Sequence, residues 1–437
     1  MWAVGRDSVF VYPATSAPPD IVRFRLLPAL VLIASTAFNA GLSLVNGHIM
    51  PVPTALVIGT EAALVSAAMG LAFLAWRPQM APSLAIIAAL ALFAVFRGLL
   101  MVQPDPKLLR DVMLIPVFLM LGMAFDDRGL VRTIVALHTL VFAVLLIEAL
   151  APQMYSDLFR IQDYYITTRG NKLDEFYNTD SELFISATRP NERFFSFVDA
   201  PRLSSIFLEP VSLGNYCSII TAFVGACYRR LGFAASAYLA VTTLAMLVGC
   251  DGRLATATCV LLIIVCVIAT WLPRQTAVLH LPLVLGFVFA VVIGTGLKPG
   301  NDDFPGRLAH TVALLRNYDI PEFLGLSNEY LGKAMDAGVA YLITTQSLLG
   351  LIMLWAYITL GTREDTDEQI RFTHALSLYL ALSMMVSYSF LTIKTGALLW
   401  FIQGSLQSTP IRAISRRLSD TEERKMLSPR EESSWAR

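Results

Sequence analysis

Residues 189–214 read RPNERFFSFVDAPRLSSIFLEPVSLG, in which Arg189, Arg193 and Arg202 and the carboxylates Glu192, Asp199 and Glu209 alternate with aromatics ahead of an apolar run. Charges that approach hydrocarbon need a partner or a function. Arginine offers a planar, permanently charged fork that grips phosphate oxygens through two parallel hydrogen bonds. Arginines gathered at a membrane rim therefore suit a phosphate or diphosphate headgroup. Two further segments add to the set. Arg253 follows Cys250-Asp251-Gly252 in a very short connection, where Asp251 is an alternative partner for it. Arg307 and His310 stand at i and i+3 of a helical pattern over 306–316, with Arg316 on another side, and Asp336 precedes a later apolar run, where it would also serve as a plain helix cap. Proline fits the first position of a helix and disfavours helix in the residue before it. Glu209-Pro210 thus sets a helix start at Pro210 with Glu209 at its cap, and Arg202 and Glu209 at one rim. Mutual neutralisation of Arg202 and Glu209 against that helix start is the bland alternative, but Arg189 and Arg193 bring more positive charge than one carboxylate needs.

The elements that would position these residues are membrane helices. The chain is 56% hydrophobic, with a mean hydropathy of +0.62, and only 15% charged, against roughly 25% in soluble domains. Lys+Arg and Asp+Glu balance at 33 each, and no basic helix or stacking platform suggests nucleic acid. The five cysteines lie in or beside apolar runs and read as small hydrophobes, not as a disulfide or metal framework. The first apolar run lacks a short signal-type core with a cleavage site and is expected to be retained.

About 20 apolar residues cross a bilayer core. Runs at 26–45, 54–75, 81–101, 112–125, 131–150, 210–228, 233–250, 254–272, 276–297, 338–360 and 372–391 meet or approach that length, and a shorter return at 395–408 follows an interruption at Thr392-Ile-Lys394-Thr-Gly396. A hairpin at that interruption gives twelve crossings. Lys and Arg of short loops stay inside. Arg6, Arg23 and Arg25, Arg77, Arg128 and Arg132, Arg229 and Arg230, Arg274, Arg363 and Arg371 all fall on one side if the N-terminus is inside, and the basic tail after Arg412 agrees. The expected organisation is therefore helices 1 to 5 over 1–150, a first large outer loop over 151–209, helices 6 to 9 over 210–297, a second large outer loop over 298–337, the last helices over 338–408, and a disordered inner tail over 409–437. In the first loop, helices are expected over 153–165 and 174–184, with Tyr155, Tyr164 and their neighbours anchoring at the headgroup level or stacking on sugars, anchoring being favoured.

No HExxH or clustered histidines point to a metal, the first outer loop (Asn46-Gly-His48) lacks a carboxylate, Asp302-Asp303 reads as a turn, and there is no Gly-rich nucleotide loop. No metal and no cofactor are expected.

The succession of RxxSxFxEPxxLG entering a span, a tight loop ending in Arg253, a long loop with Gly306-Arg307, then Asp-Ala-Gly-Val-Ala-Tyr and Leu-Leu-Gly, resembles the bacterial Wzy-type polysaccharide polymerases and their relatives, the O-antigen ligases, over 202–361. The chain departs from them in Val211-Ser after the proline, where Asn is frequent, and in Asp-Gly before Arg253, where Ser is frequent. Ligases carry a histidine near the end of the second large loop, whereas here 325–330 reads GLSNEY, which favours a polymerase. The resemblance implies an all-α, GT-C-like enzyme of the inner membrane, its site facing the periplasm. It would transfer an undecaprenyl-pyrophosphate-linked oligosaccharide to another lipid-linked repeat, with inversion and without metal, beside a chain-length regulator and a flippase. Carried residue by residue, it marks Arg202, Glu209, Arg253, Arg307 and Asp336. A diphosphate leaves readily, so clamping its charge is the main task. Arg202, Arg253 and Arg307 are the expected clamp, Arg189 and Arg193 collect substrate, and His310 is a secondary candidate. Glu209 is the best-placed base, with burial and nearby arginine pulling its basicity in opposite directions. A flippase, the main rival, would be expected to carry intramembrane charges and internal repeats, whereas here the charged residues are expected to cluster in the outer loops, away from the spans.

Overall fold

A computed structural model describes residues 26–102, 105–125, 127–172, 176, 183–188, 193–197, 201–300, 303–363 and 365–408. The tail at 409–437, Arg189 and most of the helix expected over 174–184 lie outside the described residues. Among those described there is no strand. The helices, in chain order, are α1 (Leu26–His48), α2 (Thr54–Leu74), α3 (Ala81–Met101), α4 (Pro106–Ala124), α5 (Asp127–Leu150), α6 (Pro152–Phe159), α7 (Ile161–Arg169), α8 (Pro210–Cys250), α9 (Arg253–Ile268), α10 (His280–Thr295), α11 (Phe304–Arg316), α12 (Ile320–Phe323), α13 (Gly338–Leu360), α14 (Asp367–Ser383) and α15 (Ile393–Gln407). Eight helical segments among the described residues are long and apolar enough to cross a membrane. The helices α4, with Lys107, Arg110 and Asp111 near its start, and α14 and α15, of 17 and 15 residues, are not among them.

At 41 residues, α8 would be about 60 Å long if straight, twice a bilayer core. It is not straight. Its dihedrals leave the helical region at Cys227 and at Gly232 (φ 72°), and a Cβ placed on Gly214 would stand 3.8 Å from the Cys250 sulfur. Positions near the two ends can touch only if the chain folds back at that break, so α8 is a helical hairpin turning at the expected Arg229-Arg230 connection.

The expected hairpin at 392–396 is also present: α14 and α15 run antiparallel, with Gln369 near the start of α14 donating to the Leu406 carbonyl at the end of α15 (2.8 Å). Every residue of α15 is buried. It crosses α4 at backbone distance. A Cβ on Gly404 would lie 1.9 Å from the Leu119 carbonyl oxygen, and one on Gly122 would lie 2.2 Å from that of Phe401. Glycine is what permits this approach, as in small-residue helix packing generally.

The first loop folds onto the bundle, and its tyrosines turn inward. Tyr155, Tyr164 and Tyr165 are buried, and their hydroxyls donate to the Ser205 carbonyl (2.7 Å), to Asn39 Oδ1 (3.0 Å) and to Glu209 (3.0 Å). The expected anchoring or sugar-stacking role of these rings is thus replaced by internal pinning. A buried phenol needs an acceptor, and segments distant in sequence supply it.

Candidate functional site

Glu209 has extended dihedrals (φ −135°, ψ 123°) and Pro210 takes the first helical position, as the Glu-Pro pair dictates. Its carboxylate is the centre of a mixed-charge cluster. Arg169, the last residue of α7, donates to Oε1 at 2.6 Å; the Tyr165 hydroxyl donates to the same oxygen, and the Ser212 hydroxyl to Oε2 at 2.9 Å. The Lys394 ammonium, at the first turn of α15, closes the set on Oε2. The Arg169 guanidinium lies 4.4 Å from the centre of the Tyr165 ring and 5.8 Å from that of Phe184, a stacking arrangement that fixes the plane of the fork. Arg169 keeps about half of its side chain exposed (49%), while Lys394 keeps 6%. The cluster thus has a buried cation beneath and an accessible one above.

The electrostatics have a definite sign. Burial alone would raise the Glu209 carboxyl, but Lys394 and then Arg169 outweigh it and hold the group well below the usual carboxylate range. Burial alone would lower the Arg169 guanidinium; the Glu209 charge outweighs that and raises it further. A carboxylate held so firmly ionised is a poor proton acceptor at neutral pH. It orients two cations.

The walls continue the charge pattern. Arg110 bridges Glu61 of α2 and Asp111 (2.6 Å), and Asp111 accepts from the Tyr341 hydroxyl of α13 at 2.7 Å. Tyr388 lies between the two groups: its ring centre is 5.0 Å from that of Tyr341, the Lys107 ammonium stands 5.9 Å from it, and the charges of Asp111, Arg169, Glu209 and Arg110 all act on its phenol. Elsewhere in the helices Glu148 and Arg97 are buried too. The expectation that charge is confined to the loops is therefore corrected: the chain also carries buried ionisable groups inside its apolar helices.

The remaining sequence-derived candidates fall into separate groups. Arg202 does not pair with Glu209; its Nε, Nη2 and Nη1 donate to the carbonyls of Cys250 (3.0 Å), Asp251 (3.2 Å) and Ser186 (3.4 Å). Arg193 likewise donates to the carbonyls of Val248 (2.8 Å), Gly249 (3.0 Å) and Pro201 (3.0 Å). The fork that suits phosphate equally suits the converging carbonyls at a helix C-terminus, and these two arginines cap the end of α8. Asp251 receives the backbone N–H groups of Phe194 (3.1 Å) and Phe195 (3.0 Å). Arg253 is exposed at the first position of α9. Arg307 faces Asp336 at 3.8 Å, and the His310 ring donates to the Lys333 carbonyl at 2.8 Å, so these three meet where α11 packs on the turn Lys333–Asp336.

Two members of the Glu209 cluster escaped the sequence reading. Lys394 was visible as a lone lysine in an apolar run, which is itself a functional signal. Arg169 precedes Gly170 (φ 70°), the αL residue that ends α7, so the end of a helix at that arginine was legible but its partner was not. Among the described residues no cluster of three or more His, Cys, Asp or Glu could hold a metal ion. Comparison with family models, curated proteins and solved structures finds no match to this chain.

Proposed function

We propose that this chain is a membrane glycosyltransferase of the Wzy polymerase type, which joins undecaprenyl-pyrophosphate-linked oligosaccharide repeats on the periplasmic side of the bacterial inner membrane. The observation that carries the reading is the pair of cations, Arg169 and Lys394, held on the ionised Glu209 at the start of α8, directly after the RxxSxF segment. In this reading α4, α14, α15 and the two arms of α8 all cross the bilayer, giving twelve crossings in a GT-C-like arrangement with both termini inside. The cluster then sits at headgroup depth, where a polyprenyl diphosphate presents its charge while its tail stays in lipid. Charge builds on the diphosphate as the glycosidic bond to it breaks, and donors fixed beforehand stabilise that charge without reorganising. Arg169 supplies the exposed fork and Lys394 the buried point charge; Glu209 keeps both in place. Arg307, His310 and Asp336 form a second group in the other loop, suited to the sugar or to the acceptor lipid. A chain-length regulator and a flippase are the expected partners.

The deciding experiment incubates purified protein with a lipid-linked repeat unit, without ATP and with a chelator present. Polymer growth on the lipid is expected. Transfer to a lipid A core acceptor instead would indicate the ligase branch. The partly buried Glu61–Arg110–Asp111 group favours a second reading, a lipid-linked oligosaccharide flippase, because intramembrane ion pairs mark transport paths as well. Movement of the lipid across vesicles with no polymer formed would establish that reading and sink the first.

A further inference from the structure

The Glu209 cluster carries a third hydrogen-bond donor for the same ligand, on a segment that no motif marks. We infer that the hydroxyl of Tyr388 donates to a phosphate oxygen of the polyprenyl diphosphate held by Arg169 and Lys394; the inference rests on the anionic-lipid reading of that cluster.

Tyr388 is held on a rigid turn. The next residue, Ser389, accepts from Asn215 Nδ2 of α8 at 2.9 Å, its N–H donates to Ser387 Oγ at 3.1 Å, and its carbonyl accepts from Thr392 Oγ1 (2.6 Å) and Thr395 Oγ1 (3.1 Å). The same turn carries Lys394 onto Glu209, so Tyr388 and Lys394 are delivered to the start of α8 as one unit. The ring is committed: it packs on Tyr341 at 5.0 Å with the Lys107 ammonium over it at 5.9 Å. The hydroxyl is not. Among the described residues it has no hydrogen-bond partner, although Asp111, Arg169, Glu209 and Arg110 all act on it, and the residue is only half-buried. Every other phenol of this neighbourhood is spent inside the protein: Tyr165 on Glu209, Tyr341 on Asp111, Tyr164 on Asn39. A phenol ordered by its ring, with the Lys107 ammonium over it, Lys394 on the same turn and its O–H unused, is a donor awaiting an anionic acceptor. Around this position Lys107, Arg110, Arg169 and Lys394 outnumber the carboxylates Glu61, Asp111 and Glu209, which favours phosphate over a neutral sugar hydroxyl and the acceptor that brings the most negative charge, a diphosphate over a monophosphate.

The test is equilibrium binding of undecaprenyl diphosphate and undecaprenyl phosphate to the purified full-length protein, with melting temperature measured on the same samples. Tyr388→Phe keeps the ring contacts and removes only the O–H. It is expected to bind the diphosphate about tenfold more weakly, the cost of one hydrogen bond to a charged acceptor, with a smaller loss for the monophosphate and an unchanged melting temperature. Unchanged diphosphate affinity in Tyr388→Phe, together with a large loss in Arg169→Ala, would overturn the role of Tyr388 and leave the cluster intact. A fall in melting temperature that accompanies the weaker binding would make the hydroxyl structural and overturn it as well. Failure of the wild-type protein to bind either lipid would remove the cluster reading itself, and this inference with it.

Discussion

Arg202 and Arg169 show how one residue type divides between two tasks. Arg202 spends its guanidinium on carbonyl groups at the end of α8, and Arg169 shares one carboxylate oxygen while half of its side chain stays open. Lysine cannot reproduce either fork, but the losses should differ in kind. Arg202→Lys is expected to lower the melting temperature by several degrees, about 1–3 kcal/mol for carbonyls left unpaired, with binding of undecaprenyl diphosphate little changed. Arg169→Lys should leave the melting temperature alone and weaken that binding roughly tenfold. Glu209 gives a pH signature. Its carboxyl is lowered from an ordinary value of 4.5, so the native state gains stability from the ionised form above that value and loses it as pH falls towards the lowered one. Melting curves between pH 7 and pH 3 should therefore fall more steeply for the wild type than for Glu209→Gln. At pH 7 the variant itself should be destabilised by roughly 3–5 kcal/mol, because Lys394 is left buried without its counter-charge.

Elements decide which of these residues meet. Much at this level was legible: the start of α8 at Pro210 follows from Glu-Pro, the fold-back of α8 from two apolar runs of crossing length with Arg229-Arg230 between them, and the last hairpin from the break around Lys394. What was not legible was pairing across the chain. Nothing local in Ile-Gln-Asp-Tyr-Tyr says that Tyr164 will find Asn39 and Tyr165 will find Glu209, and amphipathic aromatics far from their acceptors read naturally as interfacial. Arg202 was misplaced for the same reason, since its carbonyl partners carry no side-chain signature. Two element-level tests follow from close contacts. Gly404→Val should destabilise the α4–α15 crossing by about 1–3 kcal/mol, measurable as lost thermal stability, because even a Cβ there would overlap the Leu119 carbonyl. Glu148 of α5 accepts the N–H groups of Ser204 (3.0 and 2.8 Å) and Ser205 (2.6 Å), and so fixes the segment leading to Glu209. Glu148→Ala leaves those buried donors unsatisfied, and a loss of roughly 2–4 kcal/mol is expected.

For the whole molecule, the proposed arrangement of twelve crossings makes a prediction about sidedness. The five cysteines are all buried and should give little background, so single cysteines introduced at exposed loop positions report cleanly. In intact spheroplasts a membrane-impermeant maleimide should label Lys298→Cys and spare Asp365→Cys, and lysis should expose the second; the reverse pattern would invert the proposed orientation. The burial of α15 has a further consequence, for biogenesis. This helix is 15 residues long, shorter than the roughly 20 that cross a bilayer core, and carries a lysine in its first turn, which weakens its insertion from the translocon further. Short, charged and shielded from lipid on every side, α15 has little to gain from partitioning by itself. The carboxylate that neutralises it was synthesised far earlier, at the head of α8, and has to wait. Membrane integration of this chain should thus finish by docking of its last helix into a socket already built, and truncation before Ile393 should leave a set of inserted helices with an unfilled centre and an uncompensated acid at its mouth.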